Sequence, residues 1–168
     1  MSLQALPEHS RLWLLAFSPQ PDPAVAAELL QGLADLLGRW RHKGQVYQGA
    51  GVLLEPQLLA VAEPNLTAQP SGCAIDGMLR KVHRLLAQLH LEPVDPAASI
   101  LVRLGGRLTA IPKGEIQARL DDGTLGAATP LVDLALYSLA DLRAGRLEAP
   151  LADTWVGRKF GIAPAAVR

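Results

Sequence analysis

Short apolar runs and two long amphipathic stretches alternate along this chain, and their order limits the fold more than any other feature. Five runs are typical of strands: residues 12–17, 45–54, 58–63, 99–104 and 107–111. Two stretches repeat apolar side chains at helical spacing: residues 23–40, in a helix that Gly44 is expected to end, and residues 75–89. The order β-α-β-β-α-β-β predicts an α/β (α+β) fold with a ferredoxin-like split βαβ core, whose helices pack on one face of a largely antiparallel sheet.

Local signals fix several boundaries of these elements. Asp22 followed by Pro23 is a typical helix start, because the aspartate side chain can accept hydrogen bonds from the first free amides. Gly105-Gly106 between two apolar runs predicts a tight hairpin turn. Ser138 and Asp141 have the spacing of a capping box, which predicts a short helix after Ser138.

The chain is expected to form a single domain over residues 1–168, because it is long enough and apolar enough to bury one core. The core covers about residues 10–112, and a C-terminal α/β extension covers about residues 113–168. Within the core, Gly49 and Gly51 weaken the second strand or mark a bulge.

Composition excludes several classes of function. Sixteen basic residues balance sixteen acidic ones, so no overall field attracts nucleic acid or an anionic membrane, and nucleic-acid binding is not expected. Cys73 is the single cysteine, and the four histidines lack metal-ligand spacing, so neither a metal nor another cofactor is expected. The apolar run at 12–17 is too short to span a bilayer and lacks the flanks of a signal peptide, which predicts a cytoplasmic protein without membrane contact.

Three segments carry a resemblance to known proteins. They are Leu-Pro-Glu-His-Ser-Arg-Leu-Trp at residues 6–13, Ser-Gly-Cys-Ala-Ile-Asp at residues 71–76 and Asp-Thr-Trp at residues 153–155. Over nearly its whole length the chain resembles a group of small uncharacterised bacterial proteins that are often labelled "ABC transporter ATPase". No activity is established for that group, so the resemblance implies size and layout rather than chemistry. The sequence has no Gly-x-x-x-x-Gly-Lys-Ser/Thr loop, so a P-loop ATPase is excluded.

The start of the second helix is the main candidate site, because Ser71 and Gly72 place Cys73 where free amides and the helix dipole favour a thiolate. In this interpretation Cys73 is a nucleophile, Arg80 adds positive potential and His83 acts as a general base. The alternative interpretation is that Cys73 is a small buried hydrophobe with no chemistry.

The same helix start could instead bind a small anion or nucleotide. Ser71 and Gly72 would offer backbone amides, and Asp76 and Arg84 complete the candidate ligand-binding set. Asp76 also opposes a thiolate, because its carboxylate competes for the same amides, and its more ordinary role is a helix cap.

Three hypotheses about function therefore stay open. The leading one is a non-catalytic binding or regulatory module, which uses a free sheet face or an edge strand to bind a protein, a small molecule or a second copy in a homodimer. The alternative is a thiol-dependent enzyme with Cys73 as nucleophile. The second alternative is the binding of a small anion or nucleotide at the helix start.

Overall fold

The structure is a computed structural model that describes residues 3–42, 45–46, 49–64 and 72–163, without the side chains of residues 42, 45, 46, 73 and 74. The strands are β1 (Arg11–Ser18), β2 (Arg41–His42), β3 (Gln45–Val46), β4 (Ala50–Glu55), β5 (Leu58–Glu63), β6 (Glu92–Pro93), β7 (Ser99–Leu104), β8 (Arg107–Pro112), β9 (Pro130–Val132) and β10 (Glu148–Pro150). The helices are α1 (Pro23–Gly38), α2 (Gly72–Gln88), α3 (Ile116–Asp121), α4 (Leu139–Arg143) and α5 (Trp155–Phe160). The predicted mixed α and β class is confirmed.

The chain forms two compact units. Unit 1 comprises Met1–Pro93 and Ala135–Ala144, and unit 2 comprises Val94–Leu134 and Gly145–Arg168. The sequence analysis assigned residues 99–111 to the core, together with the first two helices. The structure places them in unit 2, because β7 pairs with β8 and β9 and not with β1.

The sheet of unit 1 has the strand order β4-β5-β1-β6, and all of its neighbouring strands are antiparallel. The fourth strand is the short β6, which pairs only with Phe17 and Ser18 of β1. This strand takes the place that the sequence analysis gave to residues 99–104.

Helix α1 begins where the sequence predicts. The side chain of Asp22 accepts hydrogen bonds from the amides of Ala24, at 2.8 Å, and Val25, at 2.9 Å, and Pro23 is the first helical residue. The helix ends at Gly38, before Trp40, because the chain then turns into β2. Trp40 is nevertheless buried, as its place in the apolar stripe predicts.

The two long helices of unit 1 share one core with one face of its sheet. Its buried side chains are Leu15, Phe17, Leu29, Leu33, Leu37, Trp40, Leu59, Val61, Met78, Val82, Leu86 and Leu91. Gly51 has a packing role in this core, since a Cβ there would lie 2.1 Å from Cδ2 of Leu33. The irregularity in the β4–β5 pairing lies between Leu53 and Glu55, and not at the two glycines.

The opposite face of the same sheet is also buried. Its side chains on β1 and β5 are at most 8 % exposed: Leu12, Leu14, Ala16, Leu58, Ala60 and Ala62. The hypothesis of a partner that binds a free sheet face stays a prediction. A homodimer through an edge strand stays a prediction, which sedimentation at micromolar concentration tests.

Unit 2 contains the second sheet, with the strand order β10-β9-β7-β8. Gly105 and Gly106 join β7 to β8 with φ angles of 54° and 80°, so the predicted tight turn is confirmed. Strand β9 is short, and the chain then leaves this unit, because residues 135–144 belong to unit 1. In the part of the chain that the structure describes, no helix has the length and apolarity needed to cross a membrane.

Candidate functional site

A pocket of about 230 Å³ opens in unit 1 beside the first residues of β1. The side chains that line it come from three separate stretches of the chain: His9, Arg11, Leu12, Trp13, Ile75, Tyr137 and Ser138. Ile75 belongs to the first turns of α2, and Tyr137 and Ser138 lead into α4. Two rings and two aliphatic side chains make much of the lining apolar, and Arg11 supplies a permanent positive charge.

Backbone hydrogen bonds hold the Tyr137 stretch against β1. The amide of Leu12 donates to the carbonyl of Tyr137 at 2.8 Å, and the amide of Leu139 donates to the carbonyl of Ser10 at 3.0 Å. Arg11 and Ser138 form an antiparallel bridge between these two bonds. The stretch therefore extends the sheet along the edge of β1 whose far end pairs with β6.

Ser138 fixes the start of α4, as its spacing to Asp141 predicts. Its hydroxyl donates to the Asp141 carboxylate at 2.6 Å and accepts from the Asp141 amide at 3.1 Å. At the other end of α4, the Nη2 group of Arg143 donates to the carbonyls of Leu3, at 3.0 Å, and Leu6, at 2.9 Å. These contacts attach α4 to the N-terminal residues and so keep Tyr137 at the pocket.

A buried carboxylate lies next to the cation of the pocket. Arg11 and Glu63 are Cα partners in the β1–β5 pair, and Nε of Arg11 lies 3.8 Å from Oε1 of Glu63. The Glu63 side chain is fully buried, whereas 28 % of the Arg11 side chain is exposed. A buried carboxylate is tolerated only with compensating partners, and the guanidinium of Arg11 is one such charge partner for Glu63, at a distance too long for a hydrogen bond. The pocket thus contains a positioned guanidinium, while the carboxylate itself is not among the lining residues.

The two rings of the pocket differ in how firmly they are held. Trp13 packs edge-to-face against the buried Trp40, with ring centroids 6.2 Å apart and an interplanar angle of 73°. Tyr137 is 74 % exposed, which is unusual for a large ring on a folded protein. The pocket therefore combines one ring fixed by the core with one ring that a ligand could cover.

None of the predicted site residues that the structure describes lines this pocket. Four of them lie exposed on α2 and are not among the lining residues: Asp76, Arg80, His83 and Arg84. Gly72 is the exposed first residue of α2, while Ser71 and the Cys73 side chain fall outside the described parts of the chain. The structure thus places the first turns of α2 at the pocket through Ile75, and the predicted roles of all seven residues stay predictions.

The sequence analysis did not identify His9, Arg11 or Tyr137. One signal was present for Arg11: opposite charges stand at the ends of two apolar runs, at Arg11 and at Glu63, which an antiparallel pairing brings together. Tyr137 had no comparable signal, because its place depends on backbone pairing with a strand far earlier in the chain.

Within residues 3–42, 45–46, 49–64 and 72–163, no group of three or more His, Cys, Asp or Glu side chains is arranged to hold a metal ion. Comparison with known proteins does not identify a family for the chain, since no protein-family model, no curated protein and no solved structure matches it. The function is therefore argued from the pocket itself.

Proposed function

We propose that this chain is a non-catalytic module that binds a small organic molecule in the pocket beside β1. The observation that carries the proposal is the lining, which joins apolar and aromatic surface to a positioned guanidinium at Arg11. Ligand sites in proteins typically combine a mostly apolar lining with a few placed polar groups, and this pocket has that composition.

The size of the pocket limits the ligand. Drug-sized ligands occupy pockets of roughly 300–1,000 Å³, and the volume here is about 230 Å³. The ligand that we propose for this pocket is accordingly a compact molecule.

A fragment screen by ligand-observed NMR tests the proposal. We expect several ring-containing fragments to bind, and Ile75→Phe to weaken their binding at least tenfold because the larger side chain fills the pocket. Lys81→Phe is the matched control, since it adds the same ring to an exposed position of the same helix that does not line the pocket. A screen without hits, or hits that bind Ile75→Phe as well as they bind Lys81→Phe, would overturn the proposal.

A thiol-dependent enzyme is the second candidate function. It rests on the sequence, which makes Cys73 the second residue of α2. A thiolate at a helix start is stabilised by the helix dipole.

Iodoacetamide labelling of Cys73 across a pH series separates the two candidates. The enzyme candidate requires alkylation well below pH 8, and slower alkylation when a pocket fragment is bound. Cys73→Ser supplies the blank. Alkylation that follows an ordinary thiol, with a midpoint near about pH 8.5, would remove the enzyme candidate and leave the binding module.

We also infer that unit 1 is a ferredoxin-like split βαβ unit. The strand order β4-β5-β1-β6 and the packing of α1 and α2 in one core support this assignment. An experimental structure in which β6 pairs elsewhere would contradict it.

A further inference from the structure

The charges around the pocket favour an anionic ligand. Arg11 is the residue with a permanent charge among the lining side chains, and none of those side chains is a carboxylate. His9, at the exposed N-terminal side of β1, adds a second nitrogen-bearing side chain that can donate a hydrogen bond. An anionic group beside Arg11 would therefore meet attraction and no repulsion from the lining itself.

Glu63 restricts the charge that this anion can carry. A guanidinium presents five N–H donors in a planar fork, so it can bind two carboxylates at once, one from Glu63 and one from a ligand. A phosphate monoester carries nearly two negative charges at neutral pH. With Glu63 at 3.8 Å from Nε, a phosphate would gather about three negative charges around a single guanidinium. A monoanionic carboxylate fits this balance better.

The rings of the pocket favour an aromatic body on the ligand. Trp13 is held by its edge contact with Trp40, and the exposed Tyr137 offers a face that remains in solvent without a ligand. A flat ligand ring can contact both side chains and displace water from both. Aromatic pairs are stabilised by more free energy than their buried area alone provides. The pocket volume is consistent with a ligand ring, because about 230 Å³ exceeds the roughly 150 Å³ of an engineered cavity that binds benzene.

We propose that the pocket recognises a small aromatic monocarboxylate, with its carboxylate on Arg11 and its ring against Trp13 and Tyr137. This inference rests on the proposed binding function and adds the chemical class of the ligand. The sequence hypothesis had a small anion or nucleotide at the start of α2, whereas this inference has a carboxylate at the start of β1.

Four matched probes test the ligand class on the unmodified protein: benzoate, benzamide, phenyl phosphate and cyclohexanecarboxylate. Each is titrated while the amide shifts of Arg11, Trp13 and Tyr137 are followed by NMR. We expect benzoate to bind at least tenfold more tightly than neutral benzamide, and severalfold more tightly than both phenyl phosphate and non-aromatic cyclohexanecarboxylate. Benzamide equal to benzoate, or phenyl phosphate tighter than benzoate, would overturn the inference.

Variants at the ion pair give a second, independent readout. Glu63→Gln removes the competing carboxylate while keeping the shape of the side chain, so benzoate should bind severalfold more tightly. Arg11→Lys keeps a cation but loses the planar fork, so benzoate should bind about tenfold more weakly. Lys81→Gln removes an exposed cation of α2 that does not line the pocket, so it is the control and should leave the affinity unchanged. Unchanged or weaker benzoate binding by a folded Glu63→Gln protein would contradict the shared guanidinium.

The outcomes separate the inference from the proposed function. Binding of benzamide or other neutral rings at these residues, without preference for benzoate, would keep the binding module and discard the carboxylate. No shift at Arg11, Trp13 and Tyr137 with any of the four probes or with any fragment would discard both. Because the probe series uses the unmodified protein, it decides the question even if a variant fails to fold.

Discussion

Arg11 and Glu63 face each other across the β1–β5 pair, and the carboxylate is fully buried while the guanidinium reaches the pocket. Arg11→Ala removes the cation beside a buried carboxylate. We expect it to lower the free energy of unfolding by about 3–5 kcal/mol. Urea denaturation followed by circular dichroism measures this.

Arg80→Ala is the control for that prediction, because Arg80 is an exposed arginine on α2. It should change the free energy of unfolding by less than about 0.5 kcal/mol. A double variant, Arg11→Met with Glu63→Leu, should recover most of the loss, since an apolar pair can replace a buried ion pair. If Arg11→Ala and Arg80→Ala lowered the free energy of unfolding by the same amount, the Arg11–Glu63 pair would not stabilise unit 1.

The N-terminus of α1 provides a second prediction. Asp22 accepts hydrogen bonds from two amides of the first turn, those of Ala24 and Val25. Asp22→Ala leaves these amides to water and should lower the free energy of unfolding by about 1 kcal/mol. Glu28→Ala, at an exposed position inside the same helix, is the control and should have almost no effect. The interpretation fails if the two variants unfold at the same urea concentration.

A tight backbone contact in unit 2 leads to a third prediction. A Cβ at Gly157 would lie 2.2 Å from the carbonyl oxygen of Ala152, and backbone atoms cannot move away as the end of a flexible side chain can. We expect Gly157→Ala to cost about 1–3 kcal/mol or more, because the added methyl overfills a buried site. Gly114→Ala has open space around it and should be nearly neutral. Thermal unfolding of both variants checks this, and a stable Gly157→Ala protein would refute the packing of α5 described here.

The turn after α3 provides a prediction about pH. Hydrogen bonds from Thr124, first from its side chain and then from its amide, hold the pKa of the Asp122 carboxyl below its usual value of about 3.9. A carboxyl whose pKa is lower in the folded state stabilises the fold above the usual pKa, and this contribution is lost as the pH falls through the lowered value. NMR titration of the Asp122 carboxyl should therefore give a midpoint below the usual value of about 3.9, and Thr124→Val, which removes the side-chain donor, should raise that midpoint. A midpoint of Asp122 at or above the usual value would contradict the turn geometry.

Elements set by neighbouring residues were predictable from the sequence. The start of α1 depends on Asp22 and Pro23, and the β7–β8 turn depends on Gly105 and Gly106, so each signal lies at the place where it acts. The apolar stripe predicted over residues 75–89 also forms. Met78, Val82 and Leu86 are buried in the core of unit 1, and four partly buried side chains pack against it: Ile75, Leu79, Leu85 and Leu89. Helical periodicity alone reveals such a stripe.

Features that depend on distant pairing were not predictable. The two-residue strand β6 and the pairing of Ser138 with Arg11 produce no periodic pattern of apolar residues in the sequence. Each is defined by the distant strand with which it pairs. For the same reason the pocket was missed, since its lining combines β1, α2 and Tyr137. The predicted site at the start of α2 came close to it only through Ile75.

The return of residues 135–144 to unit 1 has a consequence for the growing polypeptide. A ribosome adds about 5–20 residues per second, so Tyr137 emerges on the order of ten seconds after β1. During that interval the backbone groups of Ser10 and Leu12 that later bond Leu139 and Tyr137 have no strand beside them. Such an edge can pair with other chains, so mistakes in the biogenesis of this protein should begin there, and a nascent chain arrested before residue 135 should recruit chaperones that a chain extended past residue 144 no longer needs.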